Sequence, residues 1–154
     1  MLQHHLKRML IEFLDEIKKE KWFGKERELI SRFVFSKLVN NIGCCENLYD
    51  TAQIGIEVRV KQITTNGKKE VCKDLVIWNQ PNQTVWSSDK PPLCIMEWKH
   101  SNKKPSESDI KWLLKYSEAN NSCFGIALNV ENEKEYRLNA VLIENGKITD
   151  ANWI

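Results

Sequence analysis

Residues 93–104 read LCIMEWKHSNKK, an apolar run that ends abruptly in a glutamate and a lysine. Strand side chains alternate between faces, so Leu93, Ile95, Glu97 and Lys99 share one face, while Cys94, Met96 and Trp98 share the other. A run apolar on both faces has to lie inside a sheet that is covered on both sides. The chain must therefore fold around a central strand whose end carries two charges to the rim of the sheet.

The remaining segments supply what such a strand needs. Leu6, Leu10, Phe13, Leu14 and Ile17 recur at helical spacing, and Gly24 ends that helix. A second helix is expected from about Glu26 to Val39, with Leu29, Ile30, Phe33, Val34 and Leu38 on its buried stripe. Residues 54–63 alternate as a strand, Asn66-Gly67 signals a hairpin, and VCKDLVIW is the return strand. After a polar, proline-bearing connection and the central strand, a helix begins near Ser106, where Ser106 and Asp109 resemble a capping box. SCFGIALNV and a final hairpin about Asn145-Gly146 complete the order α-α-β-β-β-α-β-β-β. This is a mixed α/β (α+β) architecture, with a mixed central β-sheet flanked by helices.

One domain over residues 1–154 is expected, because a chain of this length with 42% hydrophobic residues can bury a sizeable core without metal or disulfide staples. Five cysteines form no CxxC pair, which points to reduced thiols and a cytoplasmic setting. No apolar stretch approaches the roughly 20 residues that span a bilayer, so a soluble protein with no membrane role is expected. His4 and His5 read as a solvated pair on an amphipathic helix. A net charge of +2 gives no general basic field, so any nucleic-acid role must rest on local clusters.

Two carboxylates stand out against this background. Asp74 in CKDLVIW and Glu97 in CIMEWK lie in strands apolar enough to be central, where a carboxylate is costly to bury without a metal or a cation beside it. A hard cation such as Mg²⁺ takes one or two carboxylates and fills its other positions with water and phosphate. Lys99, on the face of Glu97, could orient a water or neutralise charge on a phosphate.

Asp74, a turn-rich connection and an apolar strand ending in Glu97-Trp98-Lys99 together resemble the PD-(D/E)xK nuclease superfamily. The likeness runs from about Glu26 to Val130, and Lys73 stands where the motif's proline often stands. The resemblance implies a restriction-endonuclease-like core and hydrolysis of phosphodiester bonds by a metal-activated water. It casts Asp74 and Glu97 as ligands of Mg²⁺ or Mn²⁺ together with the Trp98 carbonyl, and Lys99 as the catalytic lysine. Members often carry a glutamate on the helix before the meander. Glu26, on the buried stripe, is the chosen candidate and Glu28 the alternative. The segments DIKWLLKY and CFGIALNV after the motif extend the similarity to small members of the superfamily.

Nucleic acid is the implied partner, DNA ahead of RNA, with His100, Lys103, Lys104, Lys111 and Lys115 as candidate contacts to its backbone. Trp78, Trp98 and Trp112 read as packing residues; Trp86 reads as rim packing, with base stacking the alternative. The resemblance leaves open a homodimer or a larger complex. The alternative function is a nuclease-fold module that has lost catalysis and binds nucleic acid or a protein partner.

Overall fold

The computed structural model describes residues 1–63 and 69–154, and the Asn66-Gly67 hairpin signal lies outside the described residues. The elements follow the expected order: α1 (Leu2–Lys19), α2 (Glu26–Phe33), β1 (Ile54–Lys61), β2 (Glu70–Ile77), β3 (Cys94–His100), α3 (Glu107–Ala119), β4 (Phe124–Glu131), β5 (Arg137–Glu144) and β6 (Lys147–Asp150). The second helix is less uniform than its periodicity suggested. It turns π-helical over Val34–Leu38 and 3₁₀ over Val39–Asn41.

The six strands lie in one sheet in chain order, β1-β2-β3-β4-β5-β6. All neighbours are antiparallel except β3 and β4, whose parallel pairing requires a crossover. That crossover carries α3. Gly125 on β4 lets the helix lie close to the sheet, since a Cβ there would stand 2.9 Å from Leu113 Cδ2. Asn145 and Gly146, at φ 49° and 70°, form the tight turn between β5 and β6.

Two apolar layers cover the sheet. Leu6, Phe13, Leu29 and Phe33 of α1 and α2 pack with Cys94, Met96 and Trp98, whereas Leu113 and Tyr116 of α3 pack with Ile95, Val76 and Ala127. The alternation read along β3 therefore holds from Cys94 onward, but Leu93, just before the strand, joins the α1/α2 layer. Trp98 is fully buried with its ring against Phe13 and Phe33. Burying a ring of that size removes about 200 Å² of surface, worth ~5 kcal/mol. This packing holds in place the strand end that carries Glu97 and Lys99.

Simple alternation fails at one place. Ile56 packs in the α1/α2 layer but Val58 in the α3 layer; on the neighbouring strand Leu75 packs in the α1/α2 layer but Val71 in the α3 layer. The pleat reverses at Glu57, which has φ 52°, and opposite it at Asp74, and these two are missing from an otherwise continuous pairing register. An irregularity of this kind re-aims side chains. Its effect is to turn Lys73 to the α3 side of the sheet, over the ring of Trp112.

Candidate functional site

Strands β2 and β3 pair only over Leu75–Ile77 and Cys94–Met96 and then part. Beyond the last pair the freed amides turn to carboxylates. Trp98 N donates to Asp74 Oδ2 at 2.8 Å, and Asp74 N lies 3.4 Å from Glu97 Oε2. Each acid thus takes over a hydrogen bond that the ladder would have made. The fork fixes Asp74 and Glu97 side by side at the sheet's interior.

Lys73 pairs with Glu97, and each of the two side chains is only 6% exposed. Lys73 Nζ lies 3.6 Å from the centroid of the Trp112 ring, so its charge is held between a carboxylate and an aromatic face. Burial nevertheless raises the Glu97 carboxyl to about 7, against the attraction of Lys73 and with added repulsion from Asp74 and Asp109.

Lys99 Nζ donates to the Trp98 carbonyl at 2.9 Å and lies 3.2 Å from Asp109 Oδ2. Burial opposes its charge, but Asp109, Glu26 and Asp74 together hold its pKa above the ordinary lysine value. Asp109 Oδ2 is buried and makes no well-aligned hydrogen bond. The capping-box reading is corrected here. Ser106 Oγ does accept from Asp109 N, at 3.3 Å, but the Asp109 carboxylate faces Lys99 instead of closing the box.

Glu26 enters the cluster from the first turn of α2. Burial raises its pKa; Lys99 and His100 draw it down, and Asp74 and Asp109 push it up. Glu28 is exposed and accepts from Lys25 N at 2.9 Å, a capping role at the helix start. The geometry thus brings together Asp74, Glu97, Lys99 and Glu26, and adds Lys73 and Asp109, which the sequence reading had not placed in the site. Asp109 was visible as a cap and as the first residue of DIKWLLKY, with no role in the site given to it. Lys73 was hidden by the pleat reversal, since regular alternation puts it with Leu75 on the opposite face.

The expected phosphate contacts are more scattered. His100 Nε2 lies 2.7 Å from Asn132 Oδ1 and 3.0 Å from Ser101 Oγ, at the edge of the cluster. Lys104 pairs with Glu107 at 2.6 Å, whereas Lys103, Lys111 and Lys115 are exposed. Ser101, at φ 58°, turns the chain off the sheet, and the buried Asn129 holds the next residue, accepting from Asn102 N at 3.0 Å. Trp78 is buried and Trp112 partly so, but Trp86 is 77% exposed and not packed at the rim.

The donor set fits a hard cation in a limited way. Among the described residues no group of three His, Cys, Asp or Glu side chains is arranged to hold a metal, the Trp98 carbonyl is engaged by Lys99, and one Glu97 oxygen by Lys73. What remains is Asp74 with the second oxygen of Glu97. That suits an ion such as Mg²⁺, which keeps most of its water and needs one or two carboxylates. Burial is the main cause of the raised pKa values of Glu97 and Glu26, with Asp74 and Asp109 adding repulsion, and a cation beside the carboxylates would oppose both effects.

No helix among the described residues is long and apolar enough to cross a membrane. Comparison with protein-family models, with curated proteins and with solved structures gave no match to this chain.

Proposed function

We propose that this chain is a divalent-metal-dependent phosphodiesterase of restriction-endonuclease-like fold that cleaves nucleic acid, DNA ahead of RNA. The observation that carries the reading is the convergence of Asp74, Glu97, Lys99 and Glu26 at the fork between β2 and β3. Mg²⁺ or Mn²⁺, when bound, would supply Lewis acidity and lower the pKa of a bound water. Asp74 and Glu97 hold that position through carboxylates anchored on backbone amides. Lys99, aimed by Asp109, offers an ammonium to the attacking water or to a phosphate oxygen. Glu26, coupled electrostatically to Lys99 and Asp74 from the first turn of α2, would accept a hydrogen bond from a water bound there. The test is cleavage of single-stranded, duplex and branched DNA and of RNA with Mg²⁺ or Mn²⁺. Equal activity of wild type and Lys99→Ala on every substrate would overturn the mechanism.

One observation favours a second reading, a binding module without catalysis. Lys73 already neutralises Glu97 in a buried pair, as a metal would. In that case nucleic acid binds in a salt-dependent way, no divalent ion supports cleavage, and Glu97→Ala changes binding only through relieved repulsion.

A further inference from the structure

The segment KKEKWFGK, residues 18–25, sets four lysines around two adjacent aromatic residues immediately before Glu26. Its side chains divide sharply. Trp22 is partly buried against the core under the guanidinium of Arg32, whereas Phe23 is 52% exposed. The loop is held in that conformation from across the sheet. Asn132, 1% exposed at the end of β4, donates to the Gly24 carbonyl at 3.3 Å and accepts from His100, while Tyr136 Oη donates to the Trp22 carbonyl at 3.1 Å. Lys21, at φ 52°, completes a tight turn. An exposed phenylalanine on a fixed loop has already met the ordering cost of presenting an aromatic face to a ligand.

Phe23 lines an open cavity of about 660 Å³ with Lys18, Lys21, Asn132, Glu133 and Tyr136. Glu133 pairs with Lys25 at 3.6 Å, and Lys18 and Lys21 have no ion pair among the described residues. The Phe23 ring meets His100 edge-on at 6.2 Å, and His100 acts electrostatically on Glu26, so the cavity opens toward the Glu26 side of the carboxylate cluster. The Lys25 ammonium stands 5.2 Å over one face of the Phe23 ring, which leaves the other face for a base, and the ammonium groups of Lys18 and Lys21 nearby suit the phosphates of the same chain. A duplex keeps its base faces covered, so the matching ligand is single-stranded.

We infer that the Phe23 cavity seats a single-stranded stretch of nucleic acid, one base on the Phe23 ring and its flanking phosphates against Lys18 and Lys21. Its place as the approach to a cleavage site rests on the reading of Asp74, Glu97 and Lys99 given above; the binding itself does not.

The test is binding of a fluorescein-labelled poly(dT) oligonucleotide of about 12 nucleotides, followed by anisotropy in EDTA so that no cleavage occurs. Phe23→Ala is expected to weaken binding by roughly 5- to 100-fold, and Phe23→Trp to retain it. Lys18→Ala with Lys21→Ala is expected to lower the salt dependence by about 0.7 for each lost phosphate contact. Binding by Phe23→Ala within about twofold of wild type overturns the inference, as does equal competition by polyglutamate, which would mean that charge alone is read. The two readings fail separately. If no divalent ion supports cleavage but Phe23→Ala binds weakly, the nuclease reading falls and the stacking site stands; if cleavage is found and Phe23→Ala binds normally, only the stacking site falls.

Discussion

Lys73 and Glu97 form a buried ion pair across the gap that opens where β2 and β3 stop pairing. Desolvating two charges cancels most of their attraction, so the pair adds little net stability, and its effect is to hold the Lys73 ammonium against the Glu97 carboxylate. Lys73 reaches Glu97 because the pleat reverses at Glu57 and Asp74, and the parting of β2 and β3 beside it leaves the amides that Asp74 and Glu97 capture. The reversal and the fork together set three of the charged groups of the site.

Breaking this pair from one side is expected to be severe. Lys73→Met leaves the Glu97 carboxylate in an apolar surround and is expected to cost about 3–5 kcal/mol in urea denaturation at pH 8. Replacing both residues, as Lys73→Met with Glu97→Leu, is expected to recover most of that loss while leaving no activity. If the double variant is no more stable than Lys73→Met alone, the uncompensated charge is not the cause.

The Glu97 carboxyl gives stability a defined pH dependence. Its pKa rises from 4.5 in an ordinary chain to about 7 in the fold, so between those values the folded state binds more protons than the unfolded state. Its contribution is therefore full below about pH 4.5 and is lost as pH rises through about 7, by roughly 3–4 kcal/mol. Glu26, also raised, acts in the same direction. Urea midpoints of wild type and Glu97→Gln measured between pH 5 and 8 should diverge, with the flatter profile in Glu97→Gln. Parallel profiles would show that Glu97 titrates no differently in the fold.

Much of this architecture was readable from periodicity because each element carries an unambiguous stripe. Leu6, Leu10 and Phe13 mark α1, and the alternation from Cys94 to Trp98 marks β3. Glu26 was separable from Glu28 by its position on the stripe of Leu29 and Phe33, and the two do lie in different surroundings. Lys73 was not readable, since a face reversal depends on backbone geometry at Glu57 that no pattern of residue types announces. Asp109 failed for a different reason. The capping rule explains its amide but says nothing of its carboxylate, which tertiary contact directs to Lys99.

Lys99 is expected to matter far more to chemistry than to folding. Its ammonium is half-buried and is held by the Trp98 carbonyl and Asp109. Lys99→Ala removes one positioned donor and should lower single-turnover cleavage by about 10²–10³-fold. Leaving Asp109 unpaired should cost about 1–3 kcal/mol of stability, because the oxygen that faces Lys99 is buried although the rest of the side chain is partly exposed. A thermal shift comparable to that of Lys73→Met would instead assign Lys99 a structural role.

Metal binding should be visible without any substrate. In the proposed reading Asp74 and the second Glu97 oxygen would form a site of few protein ligands, near the negative charge of Asp109 and Glu26. An ion bound there at 100 times its Kd should stabilise the fold by about 2.7 kcal/mol, a rise in Tm of roughly 5–10 °C for a chain of this size. Asp74→Asn should abolish the shift. Lys73→Met should bind the ion more tightly than wild type, because it removes the ammonium that competes for Glu97. Mg²⁺ and Mn²⁺ titrations of the three proteins, read by thermal unfolding, decide between the readings. A Tm indifferent to both ions in wild type and in Lys73→Met would leave Lys73 as the permanent counter-ion of Glu97 and favour the binding module.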